Sequence, residues 1–385
     1  MTVAPLRALK LDELRLRTSE KWREYPDDVL PLFVAETDFA LAPAVSAALT
    51  RAIESGDTGY IASRTPLPEA FAAFAQRRFD WELDPRQVWT TADVSMGIVE
   101  ILRRVISPGE RVVVTPPVYP PFFDLVAEAQ GVDVRVPLND TGAGWELDLE
   151  GIEREFAAGA RVVLLCNPHN PTGTSHSRTS LEALASLAAR YGAAVISDEI
   201  HAPLVQPDSG FAPFLSVSDE ARAVGYAVTS ASKAFNLAGL KCALMVTAAP
   251  TTAKVVQDLP VEVTWRTGQL GLLAAVAAFD EASDPWLDSL LAALDENRRL
   301  LRDLLAEHIP AARYRIPDAG YLAWIDLSRA GLGDNPSKRI LREAKVALHF
   351  GPAFGEQGRG YVRLNFGTSP EIITEAVLRV ARLTT

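Results

Sequence analysis

The chain has 385 residues, 48% of them hydrophobic, and a formal charge of −11 from 38 basic and 49 acidic side chains. That length and apolar content allow a substantial core and two domains. The acidic balance, with no concentrated basic cluster, argues against nucleic acid or an anionic membrane as a partner.

The first forty residues are rich in proline and aromatics, among them Trp22, Tyr25, Pro26, Pro31, Phe33 and Phe39, and read as an irregular arm. Met1 to Arg7 lacks the apolar core of a secretory signal. From Pro43, the spacing of Val45, Ala48, Leu49 and Ile53 predicts a helix running to Gly56, and Asp57-Thr-Gly-Tyr60 breaks it. Short apolar strand candidates follow at 112–114, 132–136, 162–165, 193–196, 225–229 and 242–246. They alternate with amphipathic helices that include 96–105, 181–191 and 269–281. Such alternation indicates an α/β fold with a mostly parallel sheet and helices on both faces. Ligands of such sheets sit at the carboxyl ends of the strands. The longest apolar run, Leu270 to Phe279, is too short to span a bilayer. Beyond Asp284-Pro285 a long charged helix (286–306), a helix near 336–344 and short strands around Tyr314, 320–326 and 360–366 suggest a smaller α+β domain. The expected division is an arm (1–44) joining the small domain, a large domain (45–284) and a small C-terminal domain (285–385). Cys166 and Cys242 form no CxxC pair, and a soluble cytoplasmic protein is expected.

Four candidate sites fall at the predicted strand ends. They are Pro116-Pro-Val-Tyr119, Cys166-Asn-Pro-His-Asn-Pro-Thr-Gly173, Ser197-Asp-Glu-Ile-His201 and Ser230-Ala-Ser-Lys233. An amine at a strand end, beside Ser230, Ser232 and the later Lys241, suits Schiff-base chemistry on a phosphate-bearing aldehyde; an ordinary solvated lysine is the plain alternative. Asp198 could hold a proton on the nitrogen of a pyridine ring and make that ring an electron sink, or could cap a helix. Asn170 could donate to the ring's phenolate oxygen, or could serve turn chemistry. Tyr119 could stack on the ring or simply pack beside prolines. For the phosphate, Ser230 offers a hydroxyl and Lys241 a charge, while the backbone N–H groups of Val94 and Ser95 open a helix expected from Met96. Ser95 could equally be a plain N-cap. The five histidines show no metal-ligand spacing, so no metal is expected.

These motifs, Asn-Pro-x-Asn-Pro-Thr-Gly, Asp-Glu-Ile-His and Ser-x-Ser-Lys-x-Phe-Asn-Leu-Ala-Gly, resemble fold-type I pyridoxal-phosphate enzymes of the class I/II aminotransferase superfamily. The gaps of 28 and 35 residues between Asn170, Asp198 and Lys233 are close to that family's spacing. The match runs over roughly 17–380, and it implies a seven-stranded sheet in the large domain. At the front, Arg17-Thr-Ser-Glu-Lys-Trp22, 28–39 and Gly56-Asp-Thr-Gly-Tyr60 resemble the cystathionine β-lyase-like carbon–sulfur lyase branch (MalY/PatB type). The resemblance implies a homodimer in which Tyr60 reaches the phosphate of the neighbouring subunit's cofactor. It places His201, Ser230 and Ser232 with Tyr119, Asn170, Asp198 and Lys233 around pyridoxal 5'-phosphate. It also implies that Arg363 binds the substrate α-carboxylate, which suits a guanidinium fork. The chain departs from the branch at Phe33, where Trp is usual, at Thr37, where Met is usual, and at Asp93-Val-Ser95, where Gly-Val-Val is usual. Thr264 to Gly268 also departs and has no assigned role.

The expected reaction is α,β-elimination on a small sulfur-bearing amino acid such as L-cystathionine, giving a thiol, pyruvate and ammonia. Lys233 would hold the cofactor as an imine and then act as general base, with Asp198 and Tyr119 as its catalytic companions. An amino-acid aminotransferase would use the same residues as far as the carbanion. A cofactor-bound regulatory protein with secondary catalysis is the third reading.

Overall fold

Alternating apolar runs and helices assemble around one large sheet, in a computed structural model that describes residues 4–62 and 65–384. The outermost residues of the expected arm (1–3) and Thr385 lie outside the described residues. Its strands are β1 (Val88–Thr91), β2 (Arg111–Val114), β3 (Val132–Arg135), β4 (Val162–Cys166), β5 (Ala194–Asp198), β6 (Gly225–Thr229) and β7 (Ala243–Val246). Their order is β1-β7-β6-β5-β4-β2-β3, a mostly parallel seven-stranded sheet in which β7 runs antiparallel to both neighbours.

Central β4 and β6 are buried along their whole length, which is why they read as unbroken apolar runs. Alternate residues serve opposite faces. Val163, Leu165 and Val195 join one apolar cluster, and Val162, Leu164 and Ile196 join the other. Helix Arg178–Tyr191 covers the first face, capped by Ser177. Helix Val94–Val105 covers the second.

One strand of the large sheet and several helices were not singled out in the sequence. Strand β1, Val-Trp-Thr-Thr, is short and ends in two threonines, so it lacks an apolar run; helix Leu67–Phe79 also went unread. The helix expected from Met96 begins at Val94, because Asp93 rather than Ser95 is its N-cap and accepts from the Met96 N–H at 2.8 Å.

That helix lies close to the sheet only because residue 97 is glycine. A Cβ there would come within 2.8 Å of Val228 Cγ1 and 3.3 Å of Met245 Cγ. Gly97→Val is therefore expected to lower unfolding free energy by about 1–3 kcal/mol, read from urea melts, by overpacking this contact.

A second, four-stranded antiparallel sheet has the order Arg313–Tyr314, Leu322–Asp326, Tyr361–Asn365, His349–Phe350. Helix Asp284–His308 and helix Pro370–Ala381 pack together beside it. The N-terminal segment is tied to this part by Leu30–Pro31, which pairs in parallel with Val346–Ala347. Asp38 organises the same segment. Its buried carboxylate accepts from Lys21 Nζ at 2.8 Å and Trp22 Nε1 at 3.2 Å, while Arg17 bonds the Thr37 and Phe39 carbonyls. The front-end motif thus folds the arm.

Candidate active site

The carboxyl edge of the sheet opens into a cavity of about 480 Å³, and the second sheet and the arm close its far side. β4 leads to Asn170, β5 ends in Asp198 with His201 just beyond, and β6 leads to Ser230, Ser232 and Lys233. β1 leads through Asp93 to Val94 and Ser95, and the turn after β2 brings Tyr119. Lys241 and, from the second sheet, Arg363 also line the cavity. Tyr60 stands apart, 95% exposed and outside this cavity.

Lys233 Nζ donates to the Ala35 carbonyl at 3.1 Å. Burial, reinforced by the Arg363 charge, pulls its pKa from the usual lysine range down to about 8, against the opposing pull of Glu36, Asp198 and Glu20. An amine so placed is far more often neutral near pH 8 than a surface lysine, as a nucleophile or base requires. Asp198 accepts from the Ile200 N–H at 3.1 Å through one oxygen, and no hydrogen bond to the other is formed among the described residues. Burial raises its pKa to about 7, with the Ile200 bond and the Lys233 charge opposing. A cation set against that carboxyl would restore its charge.

Arg363, only 4% exposed, donates to Asn170 Oδ1 and to the Phe33 carbonyl, both at 3.0 Å. Its Nε has no partner, and no carboxylate pairs with it among the described residues. Burial accordingly pulls its pKa down to about 10. A buried guanidinium without a counter-charge is costly, and an anionic ligand group would repay it. Asn170 spends its carbonyl oxygen on Arg363, which leaves its amide N–H groups to donate into the cavity. His201 is buried against Tyr321, and burial drops its pKa to about 3, so it is a neutral wall of the cavity.

Two of the expected phosphate donors are already engaged within the chain. The Ser230 hydroxyl spends its proton on the Cys242 carbonyl at 2.7 Å and accepts from the Ser232 N–H, so it is not a free donor. Lys241 pairs with Asp93 at 3.1 Å. The groups left open are the Val94 and Ser95 N–H groups of the helix's first turn, since Met96 N–H goes to Asp93, together with the Ser232 hydroxyl and the remaining N–H donors of Lys241.

The segment 33–37 crosses the cavity as a strap and carries residues that spacing alone did not single out. Tyr321 and Lys233 both donate to the Ala35 carbonyl, Asn365 donates to the Val34 and Glu36 carbonyls, and Asn236 bonds both backbone groups of Thr37. Glu20, Glu36 and His349 line the cavity as well. The front-end motif was the only trace of them in the sequence, and it says nothing of what it crosses.

Residues 27–380 match the family model described as aminotransferase class I and II. The chain belongs to that family. It is 42% identical to a Mycobacterium leprae protein assigned as a cystathionine beta-lyase, over 99% of this chain and 98% of that protein. It is 35% identical to the cystathionine beta-lyase of Corynebacterium glutamicum, over 98% of this chain and 99% of the relative. A Corynebacterium diphtheriae structure assigned as a PLP-dependent beta-cystathionase superposes with a TM-score of 0.93 at 37% identity, covering 98% of both chains. Within the family the chain falls in the MalY/PatB branch, and its fold is the fold-type I PLP-transferase architecture.

The residues present fit pyridoxal 5'-phosphate. A depressed amine could take the aldehyde and Asp198 the ring nitrogen. The Asn170 amide could take the phenolate oxygen, Tyr119 a ring face, and the helix start at Val94 and Ser95 the phosphate.

Proposed function

We propose that this chain is a PLP-dependent carbon–sulfur β-lyase acting on L-cystathionine or related S-substituted cysteines. The observation that carries the reading is the convergence of a buried, unpaired Arg363 with the depressed amine of Lys233 and the carboxyl of Asp198 in one cavity. Relatives bearing the cystathionine beta-lyase name over nearly the whole chain favour elimination over transamination.

When bound, the cofactor supplies an electron sink for charge released at the substrate α-carbon. Arg363 orients the substrate through a two-pronged grip on its α-carboxylate. Lys233 supplies the amine that holds the cofactor and then takes the α-proton. Asp198 keeps a proton on the ring nitrogen, and the Asn170 amide donates to the phenolate oxygen. The carbon–sulfur bond breaks, the sulfur leaves as a thiol, and water completes the conversion of the remaining fragment to pyruvate and ammonia.

Tyr60 lies too exposed to serve its own cavity, which supports a homodimer in which it reaches the partner's phosphate. No helix among the described residues is long and apolar enough to cross a membrane.

Holoprotein incubated with L-cystathionine and no added 2-oxo acid tests the reading. Pyruvate formed without an acceptor supports elimination, and product that needs the acceptor moves the reading to an aminotransferase. Arg363→Ala is expected to lower kcat/KM by about tenfold to a hundredfold, mainly through KM, because it removes charge-assisted hydrogen bonds that hold substrate in the ground state as well as later. Steady-state kinetics on one substrate series checks this.

A further inference from the structure

A second cavity, of about 530 Å³, opens where three pieces of chain meet. They are the hairpin that pairs Asn139–Asp140 with Trp145–Glu146, the start of helix Arg178–Tyr191, and residues 315–318, which lead into the second sheet. Its volume is that of a small-ligand site. No described residue lines both this cavity and the active site, yet one loop serves the two. That loop follows β4 and gives Asn170 to the active site and Thr172, Thr174 and Ser175 to the second cavity.

The walls hold donors that the chain itself does not use. At the helix start, Ser177 Oγ accepts from the Ser180 N–H at 3.1 Å, and the Ser177 carbonyl accepts from the Leu181 N–H. The Arg178 and Thr179 N–H groups are left without partners among the described residues, at the positive end of the helix dipole. A second observation is independent of the helix. His176 stands in the wall only 3% exposed, and its Nε2 has no partner. The Ser175 hydroxyl next to it is buried and unpartnered as well. Burial drops the His176 pKa to about 3, so the ring is neutral and has one N–H to give. Buried polar groups of this kind are costly until something completes them.

Arg315 brings the charge. It bonds Asp140 and lies 5.4 Å from the centroid of the Trp145 ring, which leaves further N–H donors on the guanidinium. Two acids share the wall. Asp318 spends one oxygen on the Ser175 N–H at 3.1 Å, and Glu146 is exposed and screened by solvent.

We propose that this cavity is a second anion site, which takes a phosphate group, free or as a monoester, at the start of helix Arg178–Tyr191. The proposal does not depend on which reaction the active site performs. An occupant held by both the helix and Arg315 bridges the large sheet to the segment that enters the second sheet, directly along the chain from Asn170.

The test is equilibrium dialysis of PLP-saturated holoprotein against radiolabelled inorganic phosphate, at constant ionic strength in chloride. Saturation with the cofactor keeps the label from the Val94 and Ser95 donors. Binding is read directly because phosphate raises the Tm of many proteins without binding them. The wild type is expected to take one phosphate per chain, with a dissociation constant of about 1 mM. Thr179→Glu is expected to weaken binding by about tenfold or more, although an acid in the first turn favours the helix. Thr179→Lys is expected to tighten it by about threefold, although a base there disfavours the helix. Effects on folding and on binding thus have opposite signs, and a folding defect cannot imitate the pattern. Arg315→Gln is expected to weaken binding by about tenfold. Competition by phenyl phosphate separates the two sources. Greater potency than inorganic phosphate, lost in Trp145→Leu, supports a site for a monoester with a flat ring, and equal potency supports a site for phosphate itself. No saturation up to about 20 mM, or binding indifferent to the charge placed at 179, would overturn the proposal.

Discussion

Lys233→Ala is expected to lose turnover by about a thousandfold or more, together with every covalent trace of the cofactor. The argument is local. The amine ends a loop from the buried strand β6, bonds the Ala35 carbonyl at 3.1 Å, and has its pKa drawn down to about 8 by burial and by Arg363. Lys241, the other lysine on the wall, is engaged with Asp93 and more than half exposed, so it cannot take the place of Lys233. Borohydride reduction of wild-type holoprotein, followed by digestion and mass spectrometry, should place the pyridoxyl tag on the peptide containing Lys233. The Ala variant should carry no tag. A tag on another peptide, or near-normal pyruvate production by the variant, would remove the proposed chemistry.

The large sheet was legible because its central strands are buried on both faces and therefore read as apolar runs between helices. The residues at those strand ends were legible because each sits beside its strand in the chain, as Asp198 does beside β5. What the chain order hides is whatever reaches the cavity from far away. Glu36 and Glu20 arrive on the arm, and Arg363 binds Asn170 across 193 residues. Spacing carries no signal for such contacts, and only the likeness of Arg363 to a family position pointed to it. The engagement of the phosphate donors was hidden for another reason. A hydroxyl or an ammonium in a motif does not reveal whether a nearby carbonyl or carboxylate has already claimed it, as Cys242 claims Ser230 and Asp93 claims Lys241.

Asp198→Asn should separate the cost of a functional carboxyl from its use. In the holoprotein, kcat is expected to fall by about a hundredfold or more, because a neutral amide cannot hold a proton on the ring nitrogen by charge. In the cofactor-free protein the same change should stabilise. The folded carboxyl has its pKa raised by burial to about 7, against 3.8 for the ordinary group. Between those two values the folded chain keeps a proton that the unfolded chain has released, so stability falls as pH rises across the window. The penalty is complete above about pH 7 and absent below about pH 4. Asparagine removes it and can still accept from Ile200 N–H. Loss of the carboxylate also deprives the Lys233 amine of a favourable neighbour, which trims the gain below pH 8. Burial is the largest influence on Asp198 and the Lys233 charge the smallest, so the gain should prevail. Thermal melts of both cofactor-free proteins should therefore show the variant with the higher Tm at pH 8 and the two nearly level at pH 4. A variant less stable at pH 8 would mean that neighbours hold the carboxylate more tightly than burial opposes it, and that Asp198 is kept for folding rather than for the ring.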